Sequence, residues 1–150
     1  MSTRRQKSRC LLALMIAPLA AGSASAGTAP SVYGRWLTDD RSGIVEIAPC
    51  GSAACGTLVR VLDPAAPERD INNPDPARRG RSLVGTRVLT GLRQAGGAWK
   101  GGQAYDPKAG RSYKASIALG APSRLDVTGC LLFVCRTRHW QRVGGTQAND

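Results

Sequence analysis

His139 is the only histidine in the chain. A histidine acting as general base needs a nucleophile within hydrogen-bond reach and a third group to orient it. No Gly-x-Ser-x-Gly elbow is present, and the serines are scattered through turn-like segments. A hydrolase or isomerase would have to combine His139 with Asp70, Asp75 or Asp106. Set between Arg138 and Trp140 in a strand-like run, His139 reads more simply as part of a sheet wall. Zinc is not expected, because one histidine and cysteines committed to each other leave too few ligands. Asp70, Asn72, Asn73 and Asp75 gather oxygen atoms of the kind calcium prefers. The stretch lacks the central glycine and distal glutamate of an EF-hand loop, and Asn and Asp beside a proline build turns through local hydrogen bonds. No catalytic residue, metal or cofactor is assigned.

The cysteines say more. Cys50 and Cys55 enclose Gly-Ser-Ala-Ala; Cys130 and Cys135 enclose Leu-Leu-Phe-Val, at identical spacing. The fifth cysteine, Cys10, falls in an N-terminal segment expected to be removed. The even number that remains in a short exported chain means disulfides, and two rings of equal size predict two hairpin tips, each closed by its own bridge. Each ring contributes about 2 kcal/mol on the chain-entropy argument.

Export is read from the first 26 residues. Arg4, Arg5, Lys7 and Arg9 precede an apolar run from Cys10 to Ala21, and Ala24-Ser25-Ala26 supplies small residues for cleavage before Gly27. The run is too short to span a bilayer, which takes about 20 apolar residues. The domain of 27–150 then carries no transmembrane segment and is expected in the periplasm or outside the cell. Loss of the leader's four basic residues lowers the formal charge from +11 to +7. Such a balance suits an anionic partner: a small anion, an envelope lipid or an acidic glycan. Nucleic acid is not expected, since the chain shows neither an aromatic-interleaved basic patch nor a helix-turn-helix pattern.

The elements that must position these residues are short. Apolar/polar alternation recurs every 8 to 12 residues between turn signals. Strands are predicted at 32–37, 44–48, 57–62, 86–92, 98–105, 112–119, 124–130 and 135–143. A long Pro/Asn/Asp/Arg segment fills 63–82, with at most a helical turn near Pro76 to Arg81. No other part of 27–150 shows a 3.6-residue apolar period. Eight short strands in an open sheet would leave two exposed edges, and closure removes them. The expected fold is all-β, an antiparallel up-and-down barrel of about eight strands, with a sandwich as the alternative. Glu46, inside Ile44-Val-Glu-Ile47, either faces solvent or points inward against an arginine of a neighbouring strand.

At this point the chain resembles a family. Gly34-Arg-Trp36, Gly43-Ile-Val-Glu-Ile47, Cys55-Gly56, Asp70-Ile-Asn-Asn-Pro-Asp75, Leu83-Val-Gly85, Tyr105-Asp-Pro107, Gly110-Arg-Ser-Tyr113 and Arg136-Thr-Arg-His-Trp140 occur in an order that resembles the DUF2147 proteins, small exported bacterial proteins. The resemblance implies a calycin-like barrel, similar to lipocalins, and no catalytic residues. It also implies that Trp36 plugs one end while Arg142 or Arg138 from the last strand packs over its ring.

Eight alternating strands place connections 39–43, 63–82, 106–110 and 131–134 at one end, and 51–54, 94–97 and 120–123 at the other. The first end gathers polar groups beside the apolar tip Leu131-Leu-Phe-Val134, the usual composition of a binding site. Candidate lining residues are Trp99, Tyr105, Tyr113, Phe133 and Trp140; candidate anion contacts are Arg78, Arg79 and Arg81. Ala104, Ala115 and Gly101 suggest space inside. The expected function is binding of a small amphipathic or anionic ligand or an envelope component. The rivals are a structural or inhibitory barrel filled by its own side chains, and the His139 enzyme.

Overall fold

A computed structural model describes residues 29–144. The expected leader at 1–26 lies outside the described residues. Eight strands form a closed barrel in sequence order: β1 (Gly34–Leu37), β2 (Gly43–Cys50), β3 (Ala53–Val61), β4 (Arg87–Ala95), β5 (Ala98–Asp106), β6 (Arg111–Ala121), β7 (Arg124–Leu131) and β8 (Val134–Val143). Every neighbouring pair is antiparallel, and β1 closes on β8 through Arg35 opposite Val143 and Trp36 opposite Arg142. The helical turn shrinks to Pro76–Arg78, capped by the Asp75 side chain.

The cysteine rings are tighter than expected. The reading of 57–62 as the third strand is corrected: β3 starts at Ala53, because Cys50 pairs with Ala53 across a two-residue turn at Gly51 and Ser52. The ladder therefore runs through the ring. The same holds at the other end of the barrel, where Cys130 lies directly opposite Cys135 and Leu131 opposite Val134. Both local bridges are formed, Cys50 to Cys55 and Cys130 to Cys135. Glu46 lies on β2 half-exposed and accepts from Arg35 Nε of β1 at 3.2 Å, so it is paired with a neighbouring strand's arginine yet not inside the barrel.

One end of the barrel is solid. Trp36, Ile47, Leu92, Ile117 and Leu125 are fully buried there. Trp36 Nε1 donates to the Val32 carbonyl at 2.8 Å, so the ring's polar edge is satisfied. The Arg142 guanidinium carbon lies 4.1 Å from the Trp36 ring centroid. Arg142 also donates to the carbonyls of Tyr33, Ser31 and Pro122, which staples the segment before β1 to the β6–β7 turn. Gly34 makes this possible. A Cβ there would stand 2.9 Å from the Arg142 guanidinium, and its φ of +122° is one that side chains rarely adopt. The Gly-x-Trp motif thus encodes a ring and the space for the cation that covers it. Trp99 packs at this end too, edge-to-face on Tyr33 with centroids 5.6 Å apart.

Candidate functional site at the open mouth

The other end is hollow. A cavity of about 1060 Å³ opens between the connections β1–β2, β3–β4, β5–β6 and β7–β8. The up-and-down topology brings these four together, and three polar ties hold the first three in place.

The first tie anchors the long β3–β4 connection. Asp70 is buried, and its carboxylate accepts from Tyr105 OH at 2.7 Å and from Asn73 Nδ2 at 2.6 Å. Burial pushes the Tyr105 hydroxyl well above the ordinary tyrosine range, and the Asp70 carboxylate reinforces this, so Tyr105 stays a donor. The second tie joins that connection to the β5–β6 turn: Asn72 Nδ2 donates to the carbonyls of Pro107 and Lys108 at 3.3 and 3.1 Å. Gly110, at φ +60°, is required here, because a Cβ would overlap the Asn72 carbonyl. The third tie is ionic. Lys108 Nζ bridges Asp40 at 2.9 Å and Asp63 at 3.6 Å.

Partial burial alone would raise the Asp40 carboxyl. Hydrogen bonds from Lys108, Ser42 and Thr38 outweigh it and hold the group well below the carboxylate range. Its stabilising contribution is therefore complete above the ordinary pKa of 3.8 and is lost as pH falls through the lower folded value. Asp40→Asn is expected to lower stability by up to about 1 kcal/mol at neutral pH, the pair being half-exposed. Denaturant unfolding of parent and variant should converge as pH drops below 3.8; a difference that persists in acid would place its origin elsewhere.

The cavity floor is apolar, formed by Val45, Leu58, Leu89, Val127 and Trp140. Its wall carries Ala104, Tyr113, Arg136 and Arg138, and its rim carries Tyr105, Lys108 and Phe133. Arg138 Nη1 pairs with Asp39 at 3.2 Å, and no carboxylate among the described residues pairs with Arg136.

Of the residues singled out by sequence, Tyr105, Tyr113, Phe133 and Trp140 come together around this cavity. Trp99 does not; it sits at the solid end. The loop arginines lie outside the lining as well. Arg78 pairs with Asp75 at 3.1 Å, and Arg79 Nε donates to the Asn73 carbonyl at 2.8 Å. Arg81 is exposed on the loop, its carbonyl accepting from the Asp70 amide at 2.9 Å. They fold the connection rather than face the lumen. The cations that do face it are Arg136 and Arg138, which sequence reasoning missed. The signal was available: Val134, Arg136, Arg138, Trp140 and Arg142 alternate along β8 and share one face. Of the small residues taken as signs of space, Ala104 lines the cavity, whereas Ala115 and Gly101 do not.

His139 stands on the outer wall with its Nδ1 2.8 Å from Asp126 Oδ1 of β7. That hydrogen bond, helped by Arg124, holds the Asp126 carboxyl below its usual range. Asp70, Asp75 and Asp106 are engaged at the mouth instead. Asp75 Oδ1 accepts from the Ala77 amide and Asp106 Oδ1 from the Lys108 amide. Of the oxygens weighed for calcium, the Asp70 carboxylate accepts from Tyr105 and Asn73, Asn73 Oδ1 from the Asp75 amide, and Asp75 Oδ1 from the Ala77 amide. Among the described residues no helix is long and apolar enough to cross a membrane.

Residues 34–142 match the model of DUF2147, described as an uncharacterized protein conserved in bacteria. The solved structure of protein HP1028 from the human pathogen Helicobacter pylori, described as belonging to the lipocalin family, is similar in fold. It superposes with a TM-score of 0.69 at 23% identity over 76% of this chain and 84% of that one. No curated protein matches the sequence.

Proposed function

The chain belongs to the DUF2147 family, and from its half-hollow barrel we propose that it binds a small amphipathic molecule, apolar body on the cavity floor and anionic head at Arg136. The observation that carries this reading is a cavity of about 1060 Å³ that is apolar at its base and cationic on one wall. Small-molecule sites are typically clefts of about 300–1,000 Å³ with a few placed polar groups. Arg138 is paired with Asp39, which leaves Arg136 as the lumenal arginine without a carboxylate partner among the described residues. A barrel filled by its own side chains has less support, since filling stops at the Trp36 layer. The His139 enzyme has less support too, because His139 and the loop aspartates face different surfaces. We infer that the protein works outside the cytoplasm: the leader-like start, the two bridges and the basic balance support this.

Anilinonaphthalene sulfonate, an apolar fluorophore with an anionic head, is a suitable probe, with long-chain fatty acids as competitors. Ala104→Phe places a ring in the empty lumen and is expected to weaken binding at least about tenfold while leaving the unfolding midpoint close to that of the parent. Arg136→Ala is expected to weaken it about fivefold through the lost charge-assisted contact. Parental affinity in both variants would move the site out of the cavity.

A further inference from the structure

We propose that the mouth face docks on an anionic bilayer surface, with Leu132 and Phe133 at the β7–β8 tip inserted among the acyl chains. This surface surrounds the opening of the lumen and shares Phe133 with its rim, but docking does not require the lumen to be filled.

Among the described residues, the exposed large apolar side chains are confined to one end of the barrel. They are Leu62, Ile71 and Val84 on the β3–β4 connection, and the tip Leu131–Val134. The turns at the opposite end carry Gly51, Ser52, Gly96, Gly97, Pro122 and Ser123 in their place. A soluble surface scatters such residues singly; a one-sided grouping marks a contact face.

The tip is built to hold its apolar residues out. Leu132 and Phe133 are 80% and 93% exposed, at the two central positions of a two-residue turn. Leu132 has φ +55°, the left-handed conformation that such turns normally assign to Gly or Asn. A leucine there carries a backbone cost and gains no burial within its own chain. The Cys130–Cys135 bridge lies directly beneath and fixes the hairpin, so the tip meets its partner already ordered.

Charge identifies the partner. Four carboxylates of the mouth are paired with cations, Asp39 with Arg138, Asp40 and Asp63 with Lys108, Asp75 with Arg78, while Asp70 is buried on Tyr105 and Asn73, Asp106 accepts from backbone amides and Glu68 stays exposed. Arg41, Arg69, Arg79, Arg81 and Arg111 form no ion pair among the described residues. A narrow apolar projection ringed by unpaired arginines complements an apolar phase beneath an anionic surface. A second copy of the chain would present the same arginines and repel.

Co-sedimentation with phosphatidylglycerol-containing and pure phosphatidylcholine vesicles tests this on the disulfide-intact protein. Binding is expected on the first, weakening with salt, and much less on the second. Leu132→Ser with Phe133→Ser should weaken partition at least about tenfold, since two bulky apolar side chains are lost. Both face solvent, so the fold is not at stake. Phe133→Trp should shift its fluorescence to the blue on phosphatidylglycerol vesicles and be quenched by brominated acyl chains. Ala104→Phe should bind vesicles as the parent does. Loss of vesicle binding in Ala104→Phe as well would mean that lipid drawn into the lumen, not docking, holds the protein, and would overturn the proposal. So would the absence of binding, equal binding by the tip variant, or a dimer in sedimentation velocity that the tip substitutions dissociate.

Discussion

Trp36→Ala is expected to lower the unfolding free energy by about 3–5 kcal/mol, the range for truncating a fully buried large aromatic. The indole is completely inaccessible and forms the end of the packed half of the barrel. Its loss leaves a cavity among Val45, Leu125 and the closing strands. It also removes the face on which Arg142 rests and the donor to the Val32 carbonyl. A guanidinium over indole contributes about 0.5–2 kcal/mol. Arg142→Met, which keeps bulk and removes the cation and its donors, should therefore lose less than Trp36→Ala. Urea unfolding followed at Trp99 and Trp140 measures both. A loss below about 1 kcal/mol for Trp36→Ala would mean that the ring does not close the barrel.

Asp70→Ala should cost about 3 kcal/mol, because two hydrogen bonds to a charged group each contribute about 1.5–3 kcal/mol and their loss strands the Tyr105 hydroxyl and the Asn73 amide. The damage should be local to the mouth. The β3–β4 connection would lose its main anchor, and Arg78, Arg79 and Arg81 should become sites of rapid tryptic cleavage. Tyr105→Phe removes one of the two bonds, so a double-mutant cycle with Asp70→Ala should show a coupling of about 1–3 kcal/mol. Additive effects would show that the hydroxyl and carboxylate do not act together. Probe binding should fall in Asp70→Ala as the mouth loosens, which separates this variant from Trp36→Ala: there the opposite end is disturbed.

Much of the architecture was legible in the chain. Period-2 alternation such as Tyr113, Ala115, Ile117 and Leu119 is a local property, and it survives in β6 with Ala115 and Ile117 buried. Counting alternating strands also decided which connections share an end, hence which end gathers Tyr105, Tyr113, Phe133 and Trp140. Cysteine spacing decided the bridges, because residues five apart across a hairpin lie within reach while the two pairs sit at opposite ends.

Only the tertiary structure decided where the cations point and where the filling stops. The β3–β4 connection has no period, so nothing in its sequence told whether Arg79 faces the lumen or the Asn73 carbonyl; a buried carboxylate thirty-five residues from Tyr105 set that. Trp99 was misplaced, although it lies just after the turn at 96–97 and so pairs with Ile117 at the solid end, while Ala104, further along β5, pairs with Tyr113 at the hollow one. Which residues of β5 face inward was not legible, because the register shifts between Trp99 and Gly102. A single bulge changes which face a residue occupies, and alternation cannot show it in advance. The cavity itself is a sum over the inner faces of eight strands. Whether that space is filled depends on side chains distant in sequence meeting in one layer, and they do so at Trp36 and not at Ala104.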